Sequence, residues 1–326
     1  MPGITLSLPV HAETPTALPG EDAVGATPLR ECDPVEVDGY RLLSLLGSGG
    51  MTDVFLAQAP GGGTPVVVKL LRPTDGAVEA SRREFRLARM IDADCTARAL
   101  SYGDSPAGAY LVTTFLPGHR AGTDGGEDPV PVRRLRGFAA ALARVLSVVH
   151  ARGVVHCDVK PSNLLTDHDD VRLIDFGIAR LIGEPEPVPG TARCSRGWAA
   201  PEQLHALPAS PAMDVFAWGC VIAYLAGVHP FGDDTDTWLQ RVASTPPNLT
   251  GIPAGLAELV GWALSRHPPH RPTADDLAAM CRNARPSYSG RHRPRLPSAN
   301  SPALLIPAVT RLDPARPDPL PSGITG

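Results

Sequence analysis

Residues 156–165 have the sequence HCDVKPSNLL, and a second short stretch, DFG, follows at residues 175–177. The two stretches supply two carboxylates, Asp158 and Asp175, together with the amide of Asn163 and one lysine. Side chains of these types can hold Mg²⁺, orient a hydroxyl group and neutralise a phosphate. The two stretches therefore predict phosphate chemistry, and the other patterns in the chain are interpreted beside them.

Lysine is almost absent from the chain, which contains 28 arginines and only two lysines, Lys69 and Lys160. This composition indicates that a compact ammonium group, rather than a planar guanidinium, is needed at these two positions. Chance is the alternative, because two residues must fall somewhere. Chance does not explain why both lie in stretches with phosphate-handling patterns.

The composition of the 326 residues, 43% hydrophobic and 20% charged, is that of an ordinary globular protein. The net charge of −4 gives no reason to expect nucleic acid as a partner. Proline and glycine concentrate at the two ends. We therefore expect a disordered segment at residues 1–37, a folded domain at residues 38–285, and a disordered Pro- and Arg-rich tail at residues 286–326.

The cysteines are widely scattered and contain no C-x-x-C pair, which argues against a zinc site or a disulfide framework. They are Cys32, Cys95, Cys157, Cys194, Cys220 and Cys281. The N-terminus lacks a secretory signal, and the longest apolar run, at residues 215–226, is too short to cross a bilayer. We therefore expect a soluble, cytoplasmic protein with no membrane anchor in this chain.

A glycine-rich stretch at residues 47–50 lies between two strand-like runs, residues 40–46 and 52–57. Backbone amides in such a stretch can close over the phosphates of a nucleotide, because glycine lets the chain approach an anion. A plain hairpin turn with the same glycines is the alternative. A P-loop is excluded because no Gly-Lys-Ser/Thr follows, and a Rossmann turn because a strand comes next.

Lys69 lies in the β-branched run at residues 65–71, which predicts a buried strand. A buried lysine needs a partner of opposite charge, and we expect that partner to be Glu84, on a helix predicted at residues 81–90. A solvated glutamate among arginines is the alternative interpretation of Glu84.

The pattern changes from strands to helices along the chain. After a strand at residues 110–116, the spacing of apolar residues predicts a long helix at residues 132–152, and residues 164–174 predict a hairpin. The later elements are an irregular segment at residues 181–196 and helices at residues 213–226, 256–266 and 273–283. Thr273 and Asp276 predict a capping box at the start of the last helix.

The order of these motifs resembles that of the eukaryotic-type (Hanks-type) Ser/Thr protein kinase family, and most closely its bacterial members. The resemblance spans residues 40–285 and rests on several independent motifs. They are a nucleotide loop at residues 47–54, a lysine strand at 66–69, a catalytic loop at 156–163, DFG at 175–177, Ala-Pro-Glu at 200–202, a central helix from Asp214, and Arg271 as the partner of Glu202.

The resemblance implies an α+β, bilobal protein kinase fold. The N-lobe, residues 38–116, would be a small antiparallel β-sheet with one helix, and the larger C-lobe, residues 117–285, would be mainly α-helical.

The resemblance also implies chemistry on ATP. Lys69 would hold the α- and β-phosphates, and Glu84 would orient Lys69. Asn163 and Asp175 would bind Mg²⁺, or Mn²⁺ in its place.

The catalytic-loop residues would act on the transferred group. Asp158 would accept or orient the proton of the substrate hydroxyl, and Lys160 would face the γ-phosphate, which is the pattern of Ser/Thr kinases. Thr113 falls at the position of the family's gatekeeper. The residues implied to contact the nucleotide are Leu46, Gly47, Ser48, Gly49, Gly50, Met51, Thr52, Val54, Val67, Lys69, Thr113, Phe115 and Leu165.

The chain departs from the family pattern at three places. Thr52 replaces the third glycine of the nucleotide loop, which we expect to stiffen the loop without loss of ATP binding. Cys157 replaces the arginine that in most members meets a phosphorylated residue, so activation should not depend on a phosphate at Thr191 or Ser195. Residues 194–196, CSR, replace Gly-Thr-Pro, although Ser195 keeps a hydroxyl group.

The leading hypothesis is a Ser/Thr protein kinase that transfers the γ-phosphate of Mg-ATP to serine or threonine hydroxyls of proteins, itself included. The departures motivate an alternative, a pseudokinase scaffold that binds nucleotide or partner proteins without efficient transfer. A third hypothesis, a small-molecule phosphotransferase, is disfavoured by Glu202 and Arg271, because the helices they brace support a protein-substrate platform. The sequence does not indicate an oligomeric state.

Overall fold

A computed structural model describes residues 26–121, 131–167, 170–186, 193–234 and 236–282. These residues form a strand-rich N-lobe and a mainly helical C-lobe, so the predicted α+β, bilobal fold is confirmed. The expectations for residues 1–25, for Thr191 and for the tail from residue 286 lie outside the described residues.

The described part of the N-lobe is a six-stranded antiparallel sheet with one helix against it. Its elements are β1 (Glu36–Val37), β2 (Tyr40–Ser48), β3 (Thr52–Gln58), β4 (Pro65–Leu71), α1 (Ala77–Ile91), β5 (Ala99–Ser105) and β6 (Gly108–Thr114). The strand order is β1-β2-β3-β4-β6-β5. Helix α1 packs on β5 and β6, next to the strand that carries Lys69.

The alternation of side chains along β4 separates a core face from a cleft face. Val66 and Val68 are buried in the N-lobe core, whereas Val67 and Lys69 are half-buried on the other face. Lys69 reaches Asp175 of the C-lobe. The second face of the sheet therefore looks into the cleft between the lobes.

The C-lobe is built around two long helices. Its elements are β7 (His119–Arg120), α2 (Val132–Ala151), β8 (Val154–Val155), β9 (Leu164–Asp167), β10 (Asp170–Leu173), β11 (Arg180–Leu181), α3 (Pro201–Leu204), α4 (Pro211–Leu225), α5 (Trp238–Ser244), α6 (Ala254–Ala263) and α7 (Ala274–Arg282). Helix α4 is buried on nearly every side, and Trp218 within it donates a hydrogen bond to the Ala139 carbonyl of α2 at 3.0 Å. Two short strand pairs, β9–β10 and β8–β11, carry the loops of the cleft.

Two predicted contacts brace the C-lobe. The Arg271 guanidinium donates to both oxygens of Glu202, with Nη1–Oε1 at 2.5 Å and Nη2–Oε2 at 2.9 Å. At the start of α7, Asp276 N donates to Thr273 Oγ1 at 3.1 Å, and Thr273 N donates to Asp276 Oδ2 at 3.3 Å. The ion pair and the capping box predicted from the sequence are both present.

The N-terminal boundary differs from the expectation that residues 1–37 are disordered. Residues from 26 onward have defined structure: Thr27 forms a β-bridge to β2, and Val37 is only 1% exposed. Arg30 lies 3.1 Å from the Asp53 carboxylate of β3. The low hydrophobicity of this segment gave no sign of order, because backbone and ionic contacts with a sheet leave no apolar pattern in the sequence.

Candidate active site

A lysine and two carboxylates from three parts of the chain meet in the cleft. Lys69 Nζ of β4 donates to both oxygens of Glu84 on α1, each at 2.9 Å, and to Asp175 Oδ1 at 2.6 Å. Glu84 is buried, whereas the Asp175 side chain is 43% exposed and can be reached by a ligand. The predicted contact between Lys69 and Glu84 is therefore present.

The charges of this cluster shift the pKa values of its members. Burial by itself would lower the pKa of Lys69, but the carboxylates of Glu84 and Asp175 raise that pKa above its ordinary value. Burial acts to raise the pKa of Asp175, but the neighbouring Lys69 lowers it to about 2. At neutral pH Lys69 is therefore a cation and Asp175 an anion, as binding of a phosphate and a divalent cation requires.

Gly177 lets the three charged groups come together against the backbone. A Cβ atom at this position would lie 3.0 Å from Lys69 Nζ, 3.1 Å from Asp175 Oδ1 and 3.4 Å from Glu84 Oε2. The Gly177 N–H also donates to Asp175 Oδ1 at 3.1 Å. A side chain at position 177 would therefore crowd the ends of these three charged side chains.

Asp158 lies on the loop after β8, and its two carboxylate oxygens have different hydrogen-bonding environments. Oδ2 accepts a hydrogen bond from Asn163 Nδ2 at 3.0 Å and lies 2.9 Å from Lys160 Nζ. Oδ1 is buried and accepts no hydrogen bond within the described part of the chain. Lys160 Nζ in turn donates to Ser195 Oγ at 2.7 Å. The remaining oxygen of Asp158 suits it to receive a substrate hydroxyl.

Asp214 of α4 holds the catalytic loop, a role that the sequence interpretation did not assign. Its carboxylate accepts the backbone N–H groups of His156 and Cys157, each at 2.8 Å, and lies 2.9 Å from His150 Nε2. Cys157 has a φ of 65°, an unfavourable value for a residue other than glycine, so these bonds fix a strained turn. The sequence did contain one signal for this role, because Asp214 directly precedes a long apolar run. A charged side chain buried with such a run needs hydrogen-bonding partners.

Gln203 of α3 is a second residue that the sequence interpretation missed. Its Nε2 donates to the Cys157 carbonyl at 2.6 Å and to the Arg193 carbonyl at 3.2 Å. It thereby links the catalytic loop to the segment that carries Ser195. Nothing in the sequence distinguishes it from an ordinary helix glutamine.

The catalytic loop and the DFG stretch are packed together through His156 and Phe176. Their ring centroids are 4.8 Å apart in an edge-to-face arrangement, and both side chains are buried. A ring nitrogen of His156 lies 3.2 Å from the Ile174 carbonyl. Asp158 and Asp175 therefore sit on one packed unit.

The predicted nucleotide-binding residues of the strands share one face of the N-lobe sheet. Val54 is opposite Lys69, and Val67 is opposite Thr113. Cross-strand partners lie on the same face, so all four side chains lie on the cleft side of the sheet. Phe115 follows the end of β6, in the link between the lobes.

The glycine-rich stretch forms the hairpin between β2 and β3, from Leu46 through Gly47, Ser48, Gly49, Gly50, Met51 and Thr52. Gly49 N donates to the Thr52 carbonyl at 2.8 Å, which closes the turn. A Cβ atom at Gly50 would meet no atom within 4 Å, and Met51 is 70% exposed. From the other lobe, Leu165 is buried in β9, where it pairs with Arg120 of β7.

Asn163 and Asp175 have the donor atoms that a hard divalent cation prefers. Asn163 turns its Nδ2 toward Asp158, so its Oδ1 is the amide atom left for a metal. Mg²⁺ is commonly bound through one or two protein oxygens together with substrate phosphates, which fits this small set. Among the residues that the structure describes, no group of three or more His, Cys, Asp or Glu side chains forms a separate metal site.

The fold and the cleft define the class to which this chain belongs. A family model described as the protein kinase domain matches residues 40–281. The chain therefore belongs to the protein kinase family, as the sequence motifs predict. Within the ranges that the structure describes, no helix combines the length and apolar character needed to cross a membrane.

Several known proteins are similar to most of this chain. The "Probable serine/threonine-protein kinase PkwA" of Thermomonospora curvata is 39% identical over 272 residues, which cover 78% of this chain and 35% of PkwA. The "Serine/threonine-protein kinase PknA" of Mycobacterium tuberculosis is 31% identical over 298 residues, or 83% of this chain and 66% of PknA. The "Serine/threonine-protein kinase AfsK" of Streptomyces coelicolor is 30% identical over 261 residues, or 77% and 32%. This chain thus spans about a third of the length of PkwA and AfsK.

Proposed function

We propose that this protein transfers the γ-phosphate of Mg-ATP to serine and threonine hydroxyls of proteins, including its own. The observation that carries the proposal is the convergence in one cleft of the Lys69–Glu84–Asp175 cluster and the catalytic-loop group of Asp158, Lys160 and Asn163. Family membership and the names of the relatives support the same reaction.

The N-lobe side of the cleft is assigned to the nucleotide. Lys69 binds the α- and β-phosphates, and Glu84 keeps its ammonium group in place. Support comes from the two 2.9 Å hydrogen bonds between them and from the cationic state of Lys69. The cleft-facing side chains of Val54, Val67 and Thr113 form the apolar wall for the base.

The metal is assigned to Asn163 and Asp175, with Mg²⁺ as the physiological ion and Mn²⁺ as a substitute. Asn163 and Asp175 would hold the ion, which would supply positive charge against the phosphates of the nucleotide. The anionic state of Asp175 at neutral pH and its partly exposed carboxylate support this assignment.

Asp158 and Lys160 act on the transferred group. The free oxygen of Asp158 receives or orients the hydroxyl proton of the substrate, while Asn163 and Lys160 hold the other oxygen. Lys160 donates a hydrogen bond to Ser195 Oγ at 2.7 Å and lies 2.9 Å from Asp158, and it supplies positive charge as the phosphate moves. The chain retains every side chain that we assign to the nucleotide, the metal and the hydroxyl group. This favours a catalytic protein over a pseudokinase scaffold.

The substitution Asp158→Asn tests the proposal, because it removes the charge and retains the shape. We expect transfer of labelled phosphate, to the protein itself or to a generic basic protein, to fall by about 10²–10⁴-fold. Binding of Mg-ATP, measured by calorimetry, should stay within about threefold of wild type, because Asp158 is not a phosphate ligand.

The matched control is Asp236→Asn, because the Asp236 side chain is 90% exposed and is none of the groups assigned to the reaction. This variant should transfer phosphate at the wild-type rate. Equal, background-level transfer by wild type and Asp158→Asn would contradict the proposed reaction and favour the scaffold hypothesis.

A cytoplasmic location belongs to the same proposal. All six cysteines are free, and three of them are buried, so the fold does not depend on disulfides or on an oxidising compartment. Immunoblotting of cell fractions for the native protein checks this part, and recovery in a membrane or secreted fraction would contradict it.

A further inference from the structure

A buried ion pair outside the catalytic centre joins Arg180 of β11 to Glu186, in the segment that follows DFG. Arg180 Nη1 lies 3.1 Å from Glu186 Oε2, and each side chain is only 3% exposed. Neither oxygen of Glu186 accepts a hydrogen bond within the described part of the chain, so the contact is purely ionic. No step assigned above uses either group. Charged side chains this deeply buried are rare unless they are paired, because removing a charge from water is costly.

Arg180 is fixed to the C-lobe by several further contacts. It pairs with Val155 across the β8–β11 ladder, two residues before Cys157. Its guanidinium also donates to the Leu207 carbonyl at 3.3 Å and approaches Met213 Sδ at 3.6 Å. Glu186 is therefore tied to a rigid frame that includes the strand leading into the catalytic loop.

Cys157 of the catalytic loop shares this buried environment. Burial raises the pKa of the Cys157 thiol to about 12, the charges of Asp214 and Glu186 also raise it, and Arg180 lowers it. The thiol is therefore neutral at physiological pH. The position of Cys157, where the family resemblance implies an arginine, contributes no charge here, and the positive charge beside the loop comes from Arg180.

We propose that Glu186 is a positioning residue that anchors the segment after DFG to the catalytic loop through Arg180, as a permanent carboxylate in place of an added phosphate. The inference rests on the proposed kinase function. A phosphate supplies such a contact only after it is transferred, whereas the contact between Glu186 and Arg180 is built into the sequence.

The other end of the same segment is also tied to the catalytic loop. Gln203 joins the Arg193 carbonyl to the Cys157 carbonyl, and Ser195 accepts a hydrogen bond from Lys160. Glu186 supplies the anchor near DFG and these contacts supply the anchor near Ser195. Loss of Glu186 should therefore leave the nucleotide cluster intact but loosen the arrangement around Asp158.

The substitution Glu186→Gln tests this role, because it removes the charge with little change in volume. The matched control is Glu184→Gln, two residues away, whose ion pair with Arg83 at 2.8 Å is partly exposed, with side chains 25% and 30% accessible. Wild type and both variants are treated with a phosphatase and checked by intact-mass spectrometry. Initial rates of transfer are then measured against ATP and a protein substrate, together with melting temperatures.

Phosphatase-treated wild type should transfer phosphate at once, without a lag. Glu186→Gln should lose at least about tenfold in kcat with the KM for ATP nearly unchanged, because the positioning of Asp158 is what suffers. Glu184→Gln should lose no more than about twofold, as for other partly exposed pairs. If Glu186→Gln fails to fold, the double variant Arg180→Met/Glu186→Met, which buries no unpaired charge, takes its place.

Three results would overturn the inference while leaving the proposed function standing. They are a lag in phosphatase-treated wild type, a wild-type kcat in folded Glu186→Gln, and a wild-type kcat in the folded double variant. Absence of transfer by wild type under every condition would instead overturn the kinase function on which the inference rests.

Discussion

Gly177 is the residue at which the charged cluster has least room to spare. A side chain there would meet Lys69 Nζ at 3.0 Å and Asp175 Oδ1 at 3.1 Å. Contacts this short must be relieved, and the flexible end of Lys69 is the group that can move. A methyl group at position 177 therefore acts directly on the predicted phosphate contact.

We expect Gly177→Ala to lower kcat/KM for ATP by about 10–100-fold, because a shift of about 1 Å in a catalytic group can cost that much. Steady-state kinetics with varied ATP measures the effect. Gly255→Ala in α6 is the control, since Gly255 is exposed and a Cβ atom there meets nothing within 4 Å. Equal kinetics for the two variants would contradict the crowding argument.

Asp214 gives a residue-scale prediction with a defined pH dependence. Burial acts to raise its pKa, but the hydrogen bond with His150 and the charges and N–H groups around it lower that pKa below the ordinary value. A lowered folded-state pKa means that the carboxylate stabilises the fold above the unfolded-state pKa of about 3.9, and that this stability is lost as the pH falls through the folded-state value.

We expect Asp214→Asn to lower the free energy of unfolding at pH 7 by about 2–3 kcal/mol. The asparagine amide carries no charge, and it has only one acceptor oxygen for two backbone N–H groups. The difference from wild type should begin to shrink below about pH 4, where the unfolded-state carboxylate takes up a proton, and should be lost as the pH falls through the lowered folded-state pKa. Urea denaturation at several pH values measures both effects. The exposed Asp236→Asn should show neither, and a pH-independent difference would count against the assignment.

Sequence reasoning identified the side chains that do chemistry better than those that hold them. Lys69 and Glu84 were paired because a lysine in a buried strand needs a carboxylate, and the structure shows that contact. Asp214 and Gln203 act on backbone atoms of Cys157, which lies 57 and 46 residues away from them along the chain. A single sequence carries no mark of such long-range contacts.

Among the elements, those with strong periodicity were predicted and those with weak patterns were not. The long helix α2 and the β-branched strand β4 agree with expectation to within a residue or so. Strand β5, ALSYGDS, was missed because small and polar residues dilute its alternation. Helix α5 was missed because its seven residues are too few to show a helical period.

Glycines in two helices of the C-lobe predict opposite effects of one substitution. Gly137 in α2 is exposed, and a Cβ atom there would meet no atom within 4 Å. Gly219 in α4 would place its Cβ atom 2.9 Å from Leu264 Cδ2 and 3.2 Å from Ala263 Cβ.

We expect Gly137→Ala to raise the free energy of unfolding by about 0.5–1 kcal/mol, because glycine is a poor helix former. Gly219→Ala should lower it by about 1–3 kcal/mol through overpacking. Chemical denaturation of both variants measures the two signs. An unchanged or raised free energy of unfolding for Gly219→Ala would contradict the close packing between α4 and α6.

At the scale of the whole molecule, the Arg271–Glu202 pair ties separate parts of the C-lobe together. Arg271 also donates to the Ala212 carbonyl at 2.7 Å and to the Ser265 carbonyl at 2.8 Å, and it lies over the Phe216 ring. The contacts join the start of α4, the chain after α6 and the segment at α3. Both charges are buried, so neither can be removed alone without leaving the other unpaired.

We expect Arg271→Met to lower the free energy of unfolding by about 3–5 kcal/mol, whereas Arg271→Met/Glu202→Met should recover much of that loss, because no unpaired charge remains. Arg196→Met is the control, since its side chain is 65% exposed, and it should change stability by no more than about 0.5 kcal/mol. Guanidinium denaturation of wild type and the three variants measures these changes in stability. A double variant as unstable as the single one would refute a role for unpaired charge.

The ordered segment before β1 has a practical consequence for work on the isolated domain. The family match begins at residue 40, but Arg30 donates to Ser48 Oγ at 3.3 Å and pairs with Asp53, on either side of the glycine turn. A fragment that begins at residue 40 would lack these contacts of Arg30. Its measured affinity for ATP would then differ from that of the longer protein because of the truncation. A domain prepared for ligand binding or crystallisation should therefore begin no later than residue 26.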